Sequence, residues 1–206
     1  MLSIHSLSCV RGERQLFSGL DCELQAQTLL EVRGANGSGK TSLLRMICGL
    51  IFPAAGDIRW DGRNIYTLGE AYRDHITYVG HASAIKDDLT PAENLRFAAG
   101  LAGIRPRLDA INAALSSLGL DNFRHAPCRT LSQGQRRRVA LARLPLLSEK
   151  PLWILDEPFA ALDTTAVALT QKLIENRVTR GGIVIVTSHQ DVSIKAPLYQ
   201  RIELAA

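Results

Sequence analysis

The stretch that most constrains the fold is Gly34-Ala35-Asn36-Gly37-Ser38-Gly39-Lys40-Thr41, because of what flanks it. Thr28-Leu29-Leu30-Glu31-Val32 before it reads as a strand, and Ser42-Leu43-Leu44-Arg45-Met46-Ile47 after it as the first turns of a helix. In that context the G-x-x-x-x-G-K-[ST] spacing is that of a loop that cradles phosphates. Glycines at the first, fourth and sixth positions let the backbone take positive φ and wrap closely round an anion. Successive N–H groups and the helix N-terminus then point at phosphate oxygens. Lys40 is placed to bridge the β- and γ-phosphates and the Thr41 hydroxyl to ligate Mg²⁺. The bland alternative is a glycine-rich turn that binds nothing; Lys-Thr in place and both flanks favour a nucleoside triphosphate.

The chain has 206 residues, enough for one generous domain and an ample core without disulfides. Cys9, Cys22, Cys48 and Cys128 are scattered, with no C-x-x-C pair, and are expected as reduced thiols in the cytosol. The first residues lack the regions of a signal peptide, and no stretch approaches the ~20 apolar residues of a membrane span. Work at a membrane would therefore need a partner that spans it. The net charge of +4 is mild and argues against nucleic acid. The one dense basic run, Arg136-Arg137-Arg138, reads as a solvated helix face rather than a phosphate site.

Ahead of the loop, Leu2-Ser3-Ile4, Leu7-Ser8-Cys9-Val10 and Leu20 to Leu24 carry strand signals, with a turn at Gly12-Glu13-Arg14. They predict an antiparallel β layer. After the loop come a helix closing at Gly49, a turn at Pro53-Ala54-Ala55-Gly56, a short strand pair hinged at Asp61-Gly62, and a strand Ile76 to Val79. From about Ala84 to Ser148 helices follow without strands. One starts at Thr90-Pro91-Ala92-Glu93, one covers Leu108 to Leu115, and one runs from Ser132 to about Arg143, ending or kinking near Pro145. The apolar runs Pro151 to Asp156 and Ile183 to Thr187 read as buried parallel strands, separated by a helix from Thr164 to Arg177.

Asp156 and Glu157 end a core strand, where α/β sheets present functional side chains. One carboxylate suits Mg²⁺, together with Thr41; the other suits activation of the attacking water. Leu131-Ser132-Gln133-Gly134-Gln135 opens a helix whose N-terminus is a second anion site.

In this order the motifs resemble those of the ATP-binding-cassette (ABC) ATPases over essentially the whole chain. Gly34 to Thr41 resembles their Walker A loop, Leu131 to Gln135 their signature, Leu152 to Glu157 their Walker B strand with the catalytic glutamate, Ala161-Leu162-Asp163 their D-loop, and His189 their switch histidine. The resemblance implies an α/β P-loop NTPase fold of ABC type: a mixed or parallel sheet core (about 1–83 and 149–206), an antiparallel β layer, and an inserted helical subdomain (about 84–148). It implies ATP held by Gly34 to Thr41 and Ser42, and Mg²⁺ on Thr41 and Asp156. Catalysis would fall to Lys40, Glu157 and His189. A second copy would meet the first head to tail and supply Ser132, Gly134 and Gln135 in trans. Two positions depart from the family pattern. Arg11 stands where an aromatic residue stacks on adenine, and a guanidinium plane can stack too. His81 stands where the Q-loop glutamine touches Mg²⁺ and water, and imidazole is also able to bind metal. The other histidines, His5, His75 and His125, read as ordinary surface residues.

Tyr78-Val79-Gly80-His81, Leu89-Thr90-Pro91-Ala92-Glu93-Asn94-Leu95 and Leu152 to Phe159 further resemble the ATPase subunits of bacterial cytochrome c maturation systems, the haem exporters. That likeness implies integral membrane subunits as partners, a peripheral place on the cytoplasmic face of the inner membrane, and ATP hydrolysis serving haem export or delivery. An ABC ATPase for another substrate, or a soluble one of iron–sulfur assembly type, shares the same chemistry. Nothing in the chain reads as a haem site.

Overall fold

The computed structural model describes residues 1–189 and 191–205. Strands β1 (Leu2–Arg11) and β2 (Arg14–Leu24) form a hairpin, and β4 (Ala55–Trp60) and β5 (Arg63–Asn64) turn at Asp61-Gly62. Together they make an antiparallel sheet in the order β2-β1-β4-β5, the layer expected ahead of the loop. The two strand signals at Leu2–Ile4 and Leu7–Val10 are one strand, whose register against β2 shifts between Ile4 and Leu7. Ala55 and Gly56, expected in a turn, continue the ladder there. A Cβ on Gly56 would lie 2.4 Å from the carbonyl oxygens of His5 and Ser6, so the absence of a side chain lets the two backbones close at the bend.

The second sheet is parallel throughout: β6 (Ile76–Val79), β7 (Leu152–Asp156), β8 (Ile183–Thr187), β3 (Thr28–Gly34) and β9 (Leu198–Leu204), in that spatial order. Every residue of β7 and β8 is buried, as their unbroken apolar runs require. The sheet's alternation of side chains sorts the core into two clusters. Leu30, Val32, Ile154 and Ile185 face the antiparallel layer and helix α1 (Lys40–Ile47). Leu29, Trp153, Leu155, Val184 and Val186 face the opposite side, where the helices that follow β6 and β7 pack.

Between β5 and β6 lie two single-turn helices that the sequence patterning did not reveal, α2 (Ile65–Leu68) and α3 (Glu70–Arg73). Between β6 and β7 fall α4 (Pro91–Leu101), α5 (Leu108–Ser116), α6 (Gln133–Leu141) and α7 (Arg143–Leu146). Thr90 and Glu93 form the expected capping box at α4. The helix expected to run to Arg143 breaks at Ala142, three residues before Pro145, which has no N–H to offer the Leu141 carbonyl. Ile111, Leu115, Val139 and Leu141 pack into the same cluster as Trp153 and Leu155, so the helical stretch buries its apolar faces against the sheet. Helix α8 (Thr164–Thr179), capped by Asp163 on the Ala166 N–H at 2.7 Å, follows β7 and packs on the same face. No helix among the described residues is long and apolar enough to cross a membrane.

Candidate functional site

The phosphate loop joins β3 to α1 at the C-terminal edge of the parallel sheet. Gly34, Gly37 and Gly39 have φ of 146°, 81° and 104°, so all three expected glycines use their conformational freedom. Gly34 is also sterically closed: a Cβ there would sit 2.5 Å from Ser38 Oγ and 2.6 Å from the Leu204 carbonyl oxygen. Lys40, 6 % exposed, donates to the carbonyls of Gly34 at 2.7 Å and Ala35 at 3.0 Å. Ala35, Asn36 and Gly37 are exposed, while the Ser38 hydroxyl is buried without a hydrogen-bond partner among the described residues. An unpaired buried hydroxyl inside a ring of backbone N–H groups fits an anionic ligand. Ser42 follows in the first turn of α1, beside the buried Cys9 thiol.

Thr41 ties this loop to the acidic strand end, donating to Asp156 Oδ2 at 2.9 Å. Asp156 is 1 % exposed, and its other oxygen accepts from the Thr187 hydroxyl at 2.8 Å. Thr187 Oγ1 in turn accepts the Glu157 N–H at 2.8 Å. Thr187 escaped the sequence reading except as the end of β8, yet it joins the two carboxylate residues. The Thr41 hydroxyl and the Asp156 carboxylate form a hard oxygen set that fits Mg²⁺.

Glu157 has φ of 51°, a left-handed backbone rare for a side-chain-bearing residue. Each of its carboxylate oxygens faces an imidazole. His189 Nε2 is 3.1 Å from Oε1, and His81 Nδ1 is 3.9 Å from Oε2, beyond direct hydrogen-bond reach. His81, expected beside the metal ligands, has its side chain 73 % exposed. Arg11 ends β1 opposite Arg14, at the exposed tip of the hairpin. It is β2 that meets the loop: a Cβ on Gly39 would come within 3.2 Å of Leu16 and of the Phe17 ring.

The signature stretch occupies a separate face. Ser132 caps α6, accepting the Gln135 N–H at 3.2 Å, while Gln135 Oε1 accepts the Ser132 N–H at 2.9 Å. Gly134 backs onto the D-loop; a Cβ would lie 2.5 Å from the Ala161 carbonyl oxygen, and Ala161 itself has φ of 61°. Together they line a shallow groove of about 320 Å³ that also takes in Leu162 and Asp163.

The arginine run is not a solvated face. Arg136 pairs with Asp87, and Arg138 donates to the carbonyls of Leu118 at 3.1 Å and Gly119 at 3.2 Å. Arg137 is 3 % exposed and reaches the carbonyls of Gly80, Asp156 and Glu157 at 2.7, 2.6 and 2.8 Å. Burial lowers its pKa from the ordinary arginine value, against the pull of Asp156 and Glu157. Burial likewise brings Arg143, which donates to the Tyr78 carbonyl at 3.1 Å, down to about 10. A periodic signal for Arg137 existed: Ala140 and Leu141, three and four residues on, lie on the apolar face of α6.

Residues 17–160 match the family model described as ABC transporter. The "Cytochrome c biogenesis ATP-binding export protein CcmA" of Nitrosospira multiformis is 50% identical over 96% of this chain and 96% of its own length. The protein of the same name from Dechloromonas aromatica is 50% identical over 99% and 100%. A putative ABC transporter ATP-binding protein from Pyrococcus furiosus superposes with a TM-score of 0.84 at 26% identity, covering 97% of this chain and 96% of its own. An ATP-binding cassette in a dimeric post-hydrolysis state with ADP and Pi gives 0.79 at 23% identity, covering 92% and 88%, and shares the fold.

Proposed function

Since this chain belongs to the ABC transporter family, among the cytochrome c biogenesis ATP-binding export proteins, we propose that it is the ATP-hydrolysing subunit of a haem export or delivery complex for cytochrome c. The observation that carries the enzymatic part is the unbroken bonded path Thr41–Asp156–Thr187–Glu157, with His189 on the Glu157 carboxylate. It joins the phosphate loop to a candidate base through residues that are already in place.

The chemistry follows from those residues. The loop N–H groups from Gly34 to Thr41 and the start of α1 at Thr41 and Ser42 receive the phosphates of ATP. Lys40 exchanges its two loop carbonyls for β- and γ-phosphate oxygens, and its charge follows the negative charge of the transition state. Thr41 and Asp156 would hold Mg²⁺, which would supply neutralisation of the phosphate charge. Glu157 orients the attacking water and accepts its proton, with His189 fixing one carboxylate oxygen and facing the γ-phosphate. His81, with Nδ1 3.9 Å from the other oxygen of Glu157, is available to the attacking water or the metal. Arg11 stacks on the base at the hairpin tip. A second copy, head to tail, presents Ser132, Gly134 and Gln135 to the γ-phosphate and completes the site.

On the helical side, Ile85, Lys86, Phe97 and Leu101 line a groove of about 400 Å³, with Phe97 46% and Leu101 77% exposed. Its apolar rim beside the His81 segment suits an integral membrane subunit of the cytochrome c maturation system, which would hold the chain peripherally on the cytoplasmic face of the bacterial inner membrane. ATP-driven closure of the dimer would then move that partner.

The test has two parts. Co-expressed with its membrane subunits, the chain should be recovered from detergent-solubilised membranes and support cytochrome c formation; recovery only in soluble complexes overturns the membrane assignment. Glu157→Gln should keep ATP binding and lose turnover by about a hundredfold or more. Near-normal turnover removes Glu157 from its role.

A further inference from the structure

We propose that Arg137 is the positioning residue that couples the signature helix to the catalytic carboxylate. The inference rests on the assignment of Glu157 as the base and goes beyond it, to how that base is aimed.

Three observations carry it. Arg137 is a cation taken almost wholly out of water, 3 % exposed, with backbone carbonyls as its hydrogen-bond acceptors. A buried charge held this way is costly, and truncating it would take a donor from the buried Asp156 carbonyl and from the half-buried carbonyls of Gly80 and Glu157. The acceptors, moreover, are not scattered. Gly80 follows β6, while Asp156 and Glu157 close β7, the strand paired beside it, so one planar fork spans the ends of two neighbouring strands. A longer contact of 3.4 Å reaches the His81 carbonyl. The third observation is the backbone of Glu157. Its left-handed conformation costs on the order of 1 kcal/mol and persists only where the surroundings hold it. They hold it from two sides: its N–H is fixed by Thr187, and its carbonyl by Arg137 at 2.8 Å and the Ala160 N–H at 3.2 Å.

Arg137 rides on α6, whose N-cap is Ser132. Any displacement of the signature end of that helix therefore carries the guanidinium with it and shifts the peptide that aims Glu157. Its neighbours lack this reach. Arg138 bonds carbonyls at Leu118 and Gly119, within the helical stretch, and Arg136 pairs with Asp87. Lysine cannot replace the fork, because a compact ammonium at the end of a flexible stem cannot hold carbonyls on two strands in one plane.

The experiment compares Arg137→Lys, Arg137→Gln and, as the arginine outside the strand ends, Arg138→Lys. Steady-state ATPase, ATP binding and thermal unfolding are measured on each, and Arg137→Lys is also made in the Glu157→Gln background. Arg137→Lys should lower kcat by about ten- to a hundredfold with KM for ATP within about twofold, the pattern of a misaimed catalytic group. In the Glu157→Gln background it should cause no further loss, since both changes act through one carboxylate. Arg138→Lys should lower the unfolding temperature and leave kcat and KM near wild type. If the buried lysine prevents folding, Arg137→Gln, neutral and still a donor, gives the same reading. Wild-type kcat in a folded Arg137 variant overturns the proposal, as does loss of ATP binding in step with kcat, or an additive loss on top of Glu157→Gln. Failure of the parent assignment shows differently, as turnover that survives in Glu157→Gln, and it takes this inference with it.

Discussion

The phosphate loop and the signature face are both candidate anion sites at helix N-termini, yet they satisfy their polar groups in opposite ways. At the loop, the functional groups are bonded to one another across the sheet: Lys40 to its own loop, Thr41 to Asp156, Thr187 to both Asp156 and Glu157. The threonine bonds span distant parts of the chain and hold the groups ready before any ligand arrives. At the signature, Ser132 and Gln135 cap each other within a single helical turn, and Gly134 leans on the D-loop. That capping is closed within the helix end itself. The Thr41, Asp156 and Glu157 groups are set by tertiary structure and the signature cap by local structure, a division that suits the two-copy site proposed above.

The largest effect expected from breaking this division is at the loop. Lys40→Ala should lower ATP turnover by about a hundredfold or more, measured as phosphate release at saturating ATP. Mixing that variant with an equally inactive Gly134→Asp should then restore turnover to about a quarter of wild type, because half the dimers are mixed and each of those has one intact site. No recovery on mixing would make the signature a feature of its own chain only. Gly134→Ala sharpens the local half. Its methyl meets the Ala161 carbonyl at 2.5 Å, so unfolding should be easier by about 1–3 kcal/mol, read by denaturant titration.

Beneath the loop, a smaller effect is tied to pH. Glu31 is buried in β3, and burial alone would raise its carboxyl; hydrogen bonds from Tyr199 and Arg33 outweigh that and hold it below the usual 4.5. A carboxyl whose folded pKa is lowered contributes stability above its unfolded value and loses it as pH falls through the folded one. Glu31→Gln should therefore cost about 1–2 kcal/mol at neutral pH and flatten the acid limb of the stability profile below about pH 4.5. The smallest expected change is at Arg11: substitution by Ala should weaken ATP binding about fivefold, the scale of one stacking contact, with ATP and GTP affected alike.

Much of the phosphate half was legible because its signals are local or apolar. The three glycines, Lys-Thr, and the runs of β7 and β8 each declare a conformation within a few residues. What escaped was decided by tertiary position. β9 reads Leu-Tyr-Gln-Arg-Ile-Glu-Leu, mostly exposed, and it is a strand because β3 offers it an edge, not because of its own pattern. Thr187 looks like any strand end until β7 lies beside it. Arginine 137 stood between two others of identical chemistry, and only the packing of α6 on the strand ends separates a buried fork from two flanking surface partners. The bend at Gly56 was hidden for the same reason, since the clash it avoids is with the backbone of β1.

The pairing of β9 with β3 has a consequence for biosynthesis. Thr28 to Gly34 emerge early from the ribosome, but their neighbours in the sheet are Ile183 to Thr187 and Leu198 to Leu204, and Tyr199 bonds to Glu31 across 168 residues of sequence. The first glycine of the loop packs directly against the Leu204 carbonyl. A nascent chain would therefore display a finished loop sequence long before it could own a finished loop, and during that interval β3 would be an unpaired apolar edge in need of protection. Competence to bind nucleotide would arrive only once β9 has been translated, so that a product truncated before it is silent rather than half active.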